Sequence, residues 1–255
     1  MHHFSFDGVQ QPILPGMEEY LMDPPSYREE ELKSGSLIIP DILSGLKESE
    51  KRKKRLLNKY LLPDNTPLEG QFELPKVLPY TGEIPKVFIP YSAKPPYNSK
   101  YKGVYCQIDD AGFNSSWTHP FAGLKKVQRY MVATSPDNTL WVDARVCENI
   151  EQLRRSRTIT RFWQNNGVFT IQSASWGNAE SLRFAFDGLA EGSWTAIGHQ
   201  RLGNRCEQRL FRHAVTKLVE TKRPIGLIVF GEPLDFDPGV PVIVFPSLIS
   251  KLRKL

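Results

Sequence analysis

From Lys102 to Phe245 the chain alternates short β-branched or aromatic runs with helical patterns, and this alternation constrains the fold more than any other feature. The strand-like runs are "VYCQIDDAGF", "YMVATSPD", "VFTIQSASW", "SWTAIGHQ", "IGLIVFGEP" and "VPVIVFPS". Between them lie "GLKKVQRY", "DARVCENIEQLRRSRTITRFWQNNG", "NAESLRFAFDGL" and "NRCEQRLFRHAVTKLVETKRP", whose apolar residues recur mostly at three- and four-residue steps. Strands separated by helices of this length need crossover connections, which place neighbouring strands parallel. The expected class is α/β, a mainly parallel sheet built from βαβ units with helices on both faces, over residues 102–255.

Residues 1–101 differ in kind. They hold 13 of the 20 prolines, and each proline removes an amide donor and restricts the residue before it. A proline-rich N-terminal arm that wraps the later domain is expected, with "KVFIPYS" able to add one edge strand. Inside the arm, residues 42–62 carry a helical segment with the unbroken basic run Lys51, Arg52, Lys53, Lys54, Arg55, ended by Pro63.

Composition excludes several classes. No run of eighteen apolar residues exists, so no membrane span is expected, and the amino terminus lacks the pattern of a secretory signal. Cys106, Cys147 and Cys206 are far apart and odd in number, which argues against a disulfide framework or a cysteine zinc site and fits reduced, mostly buried thiols in a cytoplasm. The net charge of +5 permits phosphate binding without demanding it.

In a parallel α/β fold the carboxyl ends of the strands face the functional crevice. The acids placed there by the pattern are Asp109, Asp110, Asp137, Asp143 and Glu180, with His199 as a candidate general base. Such a rim could hold a divalent cation such as Mg2+, while each acid alone is equally suited to capping a turn. "GHQRLGNRCEQ" brackets a loop with Gly198 and Gly203 and offers Arg201, Arg205 and a helix amino terminus to an anion. Asn204 with Glu207 three residues on also accounts for that helix start as a cap. Arg154, Arg157 and Arg161 share one helix face, and with residues 51–55 they are the candidate phosphate contacts of a nucleic-acid surface. Trp176 stands where a strand leaves the sheet, as a lid on the core or a stacking surface for a ligand. The stretch after it is expected to start a helix with Asn178 as N-cap and Glu180 in the first turn, with Leu182, Ala185, Phe186 and Leu189 facing the core.

The ordered set "VATSPDNTLWVD", "RSRTITRFWQNNGVFTIQSASWGNAESLRFAFDGLAEGSWTAIGHQ" and "PIGLIVFGEP" resembles the bacterial and phage family DUF4417, a domain of unknown function, over about residues 102–235. The resemblance implies a phage or mobile-element setting and a bacterial host cell. It carries no established activity and transfers no catalytic residue. The leading expectation is nucleic-acid-associated work on DNA or RNA, by binding or by metal-assisted phosphodiester chemistry. The alternatives are a small-molecule enzyme or sensor for a phosphorylated ligand, and a protein whose arm binds and blocks a host factor.

Overall fold

The computed structural model describes residues 58–200 and 204–246, together with the backbone of a short antiparallel hairpin, His3–Phe6 with Val9–Pro12. The basic run 51–55 and the residues Arg201 and Gly203 lie outside the described residues.

Seven parallel strands form the sheet: β1 (Phe88–Pro90), β2 (Gly103–Tyr105), β3 (Val132–Thr134), β4 (Thr170–Ser173), β5 (Trp194–His199), β6 (Gly226–Gly231) and β7 (Val242–Phe245). Their order across the sheet is their order in the chain, so every connection returns to the next position in the same direction. Helices α1 (Ser115–Thr118) and α2 (Pro120–Val127) join β2 to β3, α3 (Val146–Asn165) joins β3 to β4, and α4 (Arg205–Lys222) joins β5 to β6. The α/β class expected from the alternation is the observed one. β1 is the edge strand read from "KVFIPYS", and Leu61, Leu74, Val77, Tyr80 and Tyr91 of the segment around it are buried.

One face of the sheet becomes an interior because the sheet curls. Phe88 on β1 and Phe245 on β7, at opposite ends of the order, bring their ring centroids to 4.8 Å. Register explains which residues turn inward. Phe88, Gly103 and Val132 share one row, and Ser173, Ala196, Ile228 and Ile243 share another. The inward set packs as one cluster of Phe88, Tyr105, Val132, Ile171, Ala196, Ile228 and Phe230, with Tyr105 stacked on Phe230 at 4.7 Å. The alternate residues Ile197, Leu227 and Val229 face outward and meet Phe211, Ala214, Val215 and Leu218 of α4. Two-residue periodicity on the strands and 3.6-residue periodicity on α4 thus build two cores on the two faces of one sheet.

The amino ends of the strands are closed by the proline-rich segment that precedes β1. Val77 donates its N–H to Gly188 O (2.9 Å), and Leu78 exchanges hydrogen bonds with the Gln164 carboxamide (2.8 Å each). Tyr80 N–H donates to Ser193 Oγ (2.9 Å), and Trp194 N–H donates to Tyr80 O (2.9 Å). The Tyr80 ring and Ile84 join the interior cluster. Proline suits this role, because a segment that crosses strand ends needs few ladder hydrogen bonds.

The crossover from β4 to β5 departs from the expected helix. Residues 179–190 contain only a single 3-10 turn, Ser181–Arg183. Leu182, Ala185, Phe186 and Leu189 are buried as their spacing requires. Their backbone carbonyls, however, serve a side chain: Arg157 donates to Ala185 O (3.0 Å) and Asp187 O (3.1 Å). Those acceptors would otherwise close helical turns. Asn178 keeps part of its capping role, since its Oδ1 accepts from Ser181 N–H (2.9 Å).

Candidate functional site at the carboxyl ends of the strands

The carboxyl end of the rolled sheet is polar where the amino end is plugged. Gln107, two residues past β2, is buried among β-strand hydroxyls: its Nε2 donates to Ser173 Oγ (2.8 Å) and its Oε1 accepts from Thr134 Oγ1 (3.1 Å). Ser173 Oγ in turn donates to Ser135 O (3.0 Å), and Thr134 Oγ1 accepts from Cys106 N–H (2.9 Å). Each of these side chains sits at a strand end, so the strand ladder holds the network in place.

Asp137 follows β3 at the lip of this network. Its Oδ1 is buried and has no hydrogen-bond partner among the described residues. Burial pushes its carboxyl up to about 7, with the charge of Asp110 adding to the rise and Arg157 and a hydrogen bond from Ser175 opposing it. Across the lip stands Gly198: a methyl group placed on it would lie 3.8 Å from Asp137 Oδ2 and 3.9 Å from Gln107 Cγ. A titrating acid, a carboxamide and a gap in side-chain cover therefore meet at one place.

Three loops form the wall beside it. The Asp110 carboxylate accepts from Thr139 N–H (3.2 Å) and Oγ1 (2.8 Å), which ties the β2 turn to the β3 loop. Asn178 Nδ2 donates to Val142 O (3.0 Å), which ties the β4 loop to the same segment, and Ser175 Oγ lies 3.4 Å from Asn138 O. Gly177 fits there because a methyl group would meet Leu140 O at 2.9 Å. On the other side, His199 shares a 2.8 Å hydrogen bond between Nδ1 and Glu232 O, and its ring stacks on Phe211 at 4.5 Å. In the neutral tautomer that donates from Nδ1, Nε2 is the acceptor nitrogen.

The structure brings together Asp110, Asp137 and Gly198 from the expected set, with His199 beside them in the chain. It separates the others. Asp109 Oδ1 accepts from Ala111 N–H (2.9 Å) as the cap of a 3-10 turn, while Asp143 and Glu180 are exposed on loops of their own. Among the described residues no three His, Cys, Asp or Glu side chains group as a cation site. Trp176 is half-buried on the outward core, against Phe186 (6.2 Å) and Phe211 (5.4 Å). Asn204 caps α4, its Oδ1 accepting from Cys206 and Glu207 N–H (2.9 Å each), so two amides of the expected anion site are already satisfied. Arg205 is exposed beside them.

The arginine face of α3 is also corrected. Arg157 is 1% exposed, and its guanidinium binds carbonyls of Ser173, Ala185 and Asp187; a side chain so enclosed does not reach a phosphate. Arg154 pairs with Glu151 (2.7 Å) and lies over the Trp117 ring at 5.1 Å. Arg161 donates to Lys76 O (3.5 Å). Of the three cysteines only Cys106 is buried, whereas Cys147 and Cys206 are exposed. Gln107 is the candidate site residue that the strand pattern does not single out. Its position two residues beyond an inward-facing tyrosine is the signal that points to it.

The fold and its mouth define the class: a rolled parallel α/β domain with a polar network at the carboxyl ends of the strands. The chain belongs to DUF4417, a domain of unknown function, which matches residues 66–244. It is similar to the "Gene 1 protein" of Mycobacterium phage L5, 29% identical over 126 residues that cover 49% of this chain and 55% of that one. It is similar also to the "Gene 1 protein" of Mycobacterium phage D29, 28% identical over 171 residues, 65% of this chain and 62% of that one. The chain thus spans less than two thirds of the length of these relatives. No solved structure matches it. No helix among the described residues is long and apolar enough to cross a membrane.

Proposed function

We propose that this phage-related protein binds a small polar ligand at the carboxyl ends of its strands and exchanges a proton with it through Asp137. The observation that carries this reading is the buried, unpartnered Oδ1 of Asp137 beside Gly198 at the carboxyl ends of the strands. Fold stability gains nothing from a carboxyl left in that state, and an acid that titrates near neutrality is suited to proton transfer. Gln107 would orient the ligand. The test is a 13C titration of the aspartate carboxyls of the full chain. One resonance should titrate near 7 and disappear in Asp137→Asn. If every aspartate titrates in the ordinary carboxylate range, the reading fails.

The five-residue run Lys51–Arg55 and the net charge of +5 favour a second reading, association with DNA or RNA through residues preceding the described domain. With Arg157 buried and Arg154 paired, α3 contributes little to such a surface. A salt-sensitive mobility shift of oligonucleotides, lost when residues 51–55 are neutralised, supports it. Absence of a shift at low salt ends it.

A further inference from the structure

Gly198 is the one glycine among the described residues that the fold does not account for. Others are held by steric need: a methyl group on Gly103 would meet Phe88 Cε1 at 2.3 Å, and one on Gly226 would meet Trp194 Cζ3 at 2.2 Å. Several more, such as Gly188 at φ +77°, occupy the left-handed region. Gly198 does neither. It lies inside β5, has no positive φ, and its hypothetical Cβ makes only ordinary van der Waals contacts, at 3.8 Å and beyond. A glycine inside a strand weakens it relative to alanine, and one left there without a steric reason marks a place where another molecule approaches the backbone.

What that space offers can be read from its walls. The two atoms nearest the missing methyl belong to Asp137 and Gln107. Asp137 brings an oxygen without a partner. Gln107 holds Ser173 and Thr134 with one N–H and one lone pair, and those bonds leave it a second amide hydrogen and a second lone pair. The acidic neighbour Asp110 adds negative charge beside Asp137, while Arg157, the cation near it among the described residues, is turned towards backbone carbonyls.

We infer that Gly198 is the aperture of the site and determines its specificity, admitting the N–H edge of an amidine-like group that donates to Asp137 and meets Gln107 at its rim. A carboxylate accepts two parallel N–H bonds from such an edge, and the pairing is stronger when the donor is cationic. This inference rests on the proposed acid–base role of Asp137 and specifies the ligand for it. Acidic ligands are disfavoured by the same geometry, because Asp137 and Asp110 would face them.

The experiment uses the full chain, wild type and Gly198→Ala, with acetamidinium as the probe. Acetate and tetramethylammonium at equal ionic strength are the comparisons. Gly198→Ala should fold and melt roughly 1 to 3 °C higher, since the added methyl group makes only ordinary contacts with the described residues. Acetamidinium should lower the Asp137 titration midpoint of the wild type by about 1 and leave that of Gly198→Ala unmoved. Tetramethylammonium, which has no N–H, should move neither. The inference is overturned if the alanine variant responds like the wild type, or if acetamidinium has no effect on the wild type. An equal response to tetramethylammonium, preferential binding of acetate, or a marked fall in the melting temperature of the variant overturns it too. If Asp137 itself titrates in the ordinary range, the acid–base reading has failed rather than the choice of ligand alone.

Discussion

The two ends of the rolled sheet are finished by opposite means. At the amino end the chain covers the interior with a proline-rich segment, whose backbone is bonded to strand and helix ends and whose Tyr80 and Ile84 complete the apolar cluster. At the carboxyl end the interior terminates in Gln107, Thr134 and Ser173, with Asp137 and Gly198 at the lip. Apolar closure stabilises by removing surface from water. A buried carboxyl oxygen without a partner does the reverse. The first end is therefore built for stability and the second for something that offsets its cost, and substitutions at the two ends should differ in sign.

Arg157 braces the two regions and should give the largest effect. Its guanidinium reaches Ser173 O beneath the mouth and Ala185 and Asp187 O in the crossover that leads to the amino end. Burial holds its own pKa down to about 10, and Asp137 and Asp187 oppose that fall. Arg157→Leu removes a buried cation and leaves those carbonyls without donors, a loss of about 3 to 5 kcal/mol in denaturant unfolding. A loss below about 1 kcal/mol would mean that water replaces the guanidinium and that the brace is not structural.

At the closed end, Tyr80→Ala deletes a ring that is 8% exposed and sits over the interior cluster. The cavity and the lost hydrogen bond to Glu83 O should lower stability by about 3 kcal/mol. The comparison sharpens if the Asp137 titration stays where it was. A titration that moves would show that the amino-end plug and the mouth are coupled.

At the open end the expected sign is reversed. The folded-state pKa of Asp137 is raised, so the folded protein holds a proton through a range in which the unfolded chain has lost it. Stability therefore falls as pH rises from about 4 to about 7 and is flat above that. The displacement corresponds to about 4 kcal/mol at full burial, and to roughly half of that with the partial exposure of this side chain. Asp137→Asn should abolish this slope and leave the protein about 2 kcal/mol more stable than wild type at pH 8. Equal stability of the two proteins at pH 8 would break the contrast between the ends.

The pattern of alternating runs was enough to place the sheet, α3 and α4, because long periodic segments bury one face whatever the tertiary context. The curl was not legible: it depends on Phe88 and Phe245, 157 positions apart in numbering, meeting inside the roll. Helical spacing at 182–189 correctly marked buried residues and wrongly implied helix, because the backbone there answers to Arg157 rather than to itself. The same arginine looked like surface from its spacing with Arg154 and Arg161. Asp137 was visible as a turn acid after "SP", but nothing local to it reveals that Gln107 and Gly198 stand opposite. The site is assembled from three strand ends, and only the register brings them together.

The smallest effect is expected at the amino terminus of α4, which begins where β5 delivers the chain to the mouth side. Asn204 is extended (φ −143°, ψ 167°) and accepts from two amides, Cys206 and Glu207, while its Nδ2 donates to Glu207 Oε1 (2.8 Å). The residue is exposed, so in Asn204→Ala water takes over both amides and the loss should be only about 1 kcal/mol. That variant also separates two uses of the helix end. With the cap removed, Cys206 and Glu207 N–H become available to an anion, and sulfate should restore part of the lost stability, whereas sulfate should leave the wild type unchanged. If sulfate stabilises the wild type as strongly as the variant, the cap does not compete for those amides. The helix end would then join the mouth as a second ligand contact, and the polar region at the carboxyl ends would extend from β3 to α4.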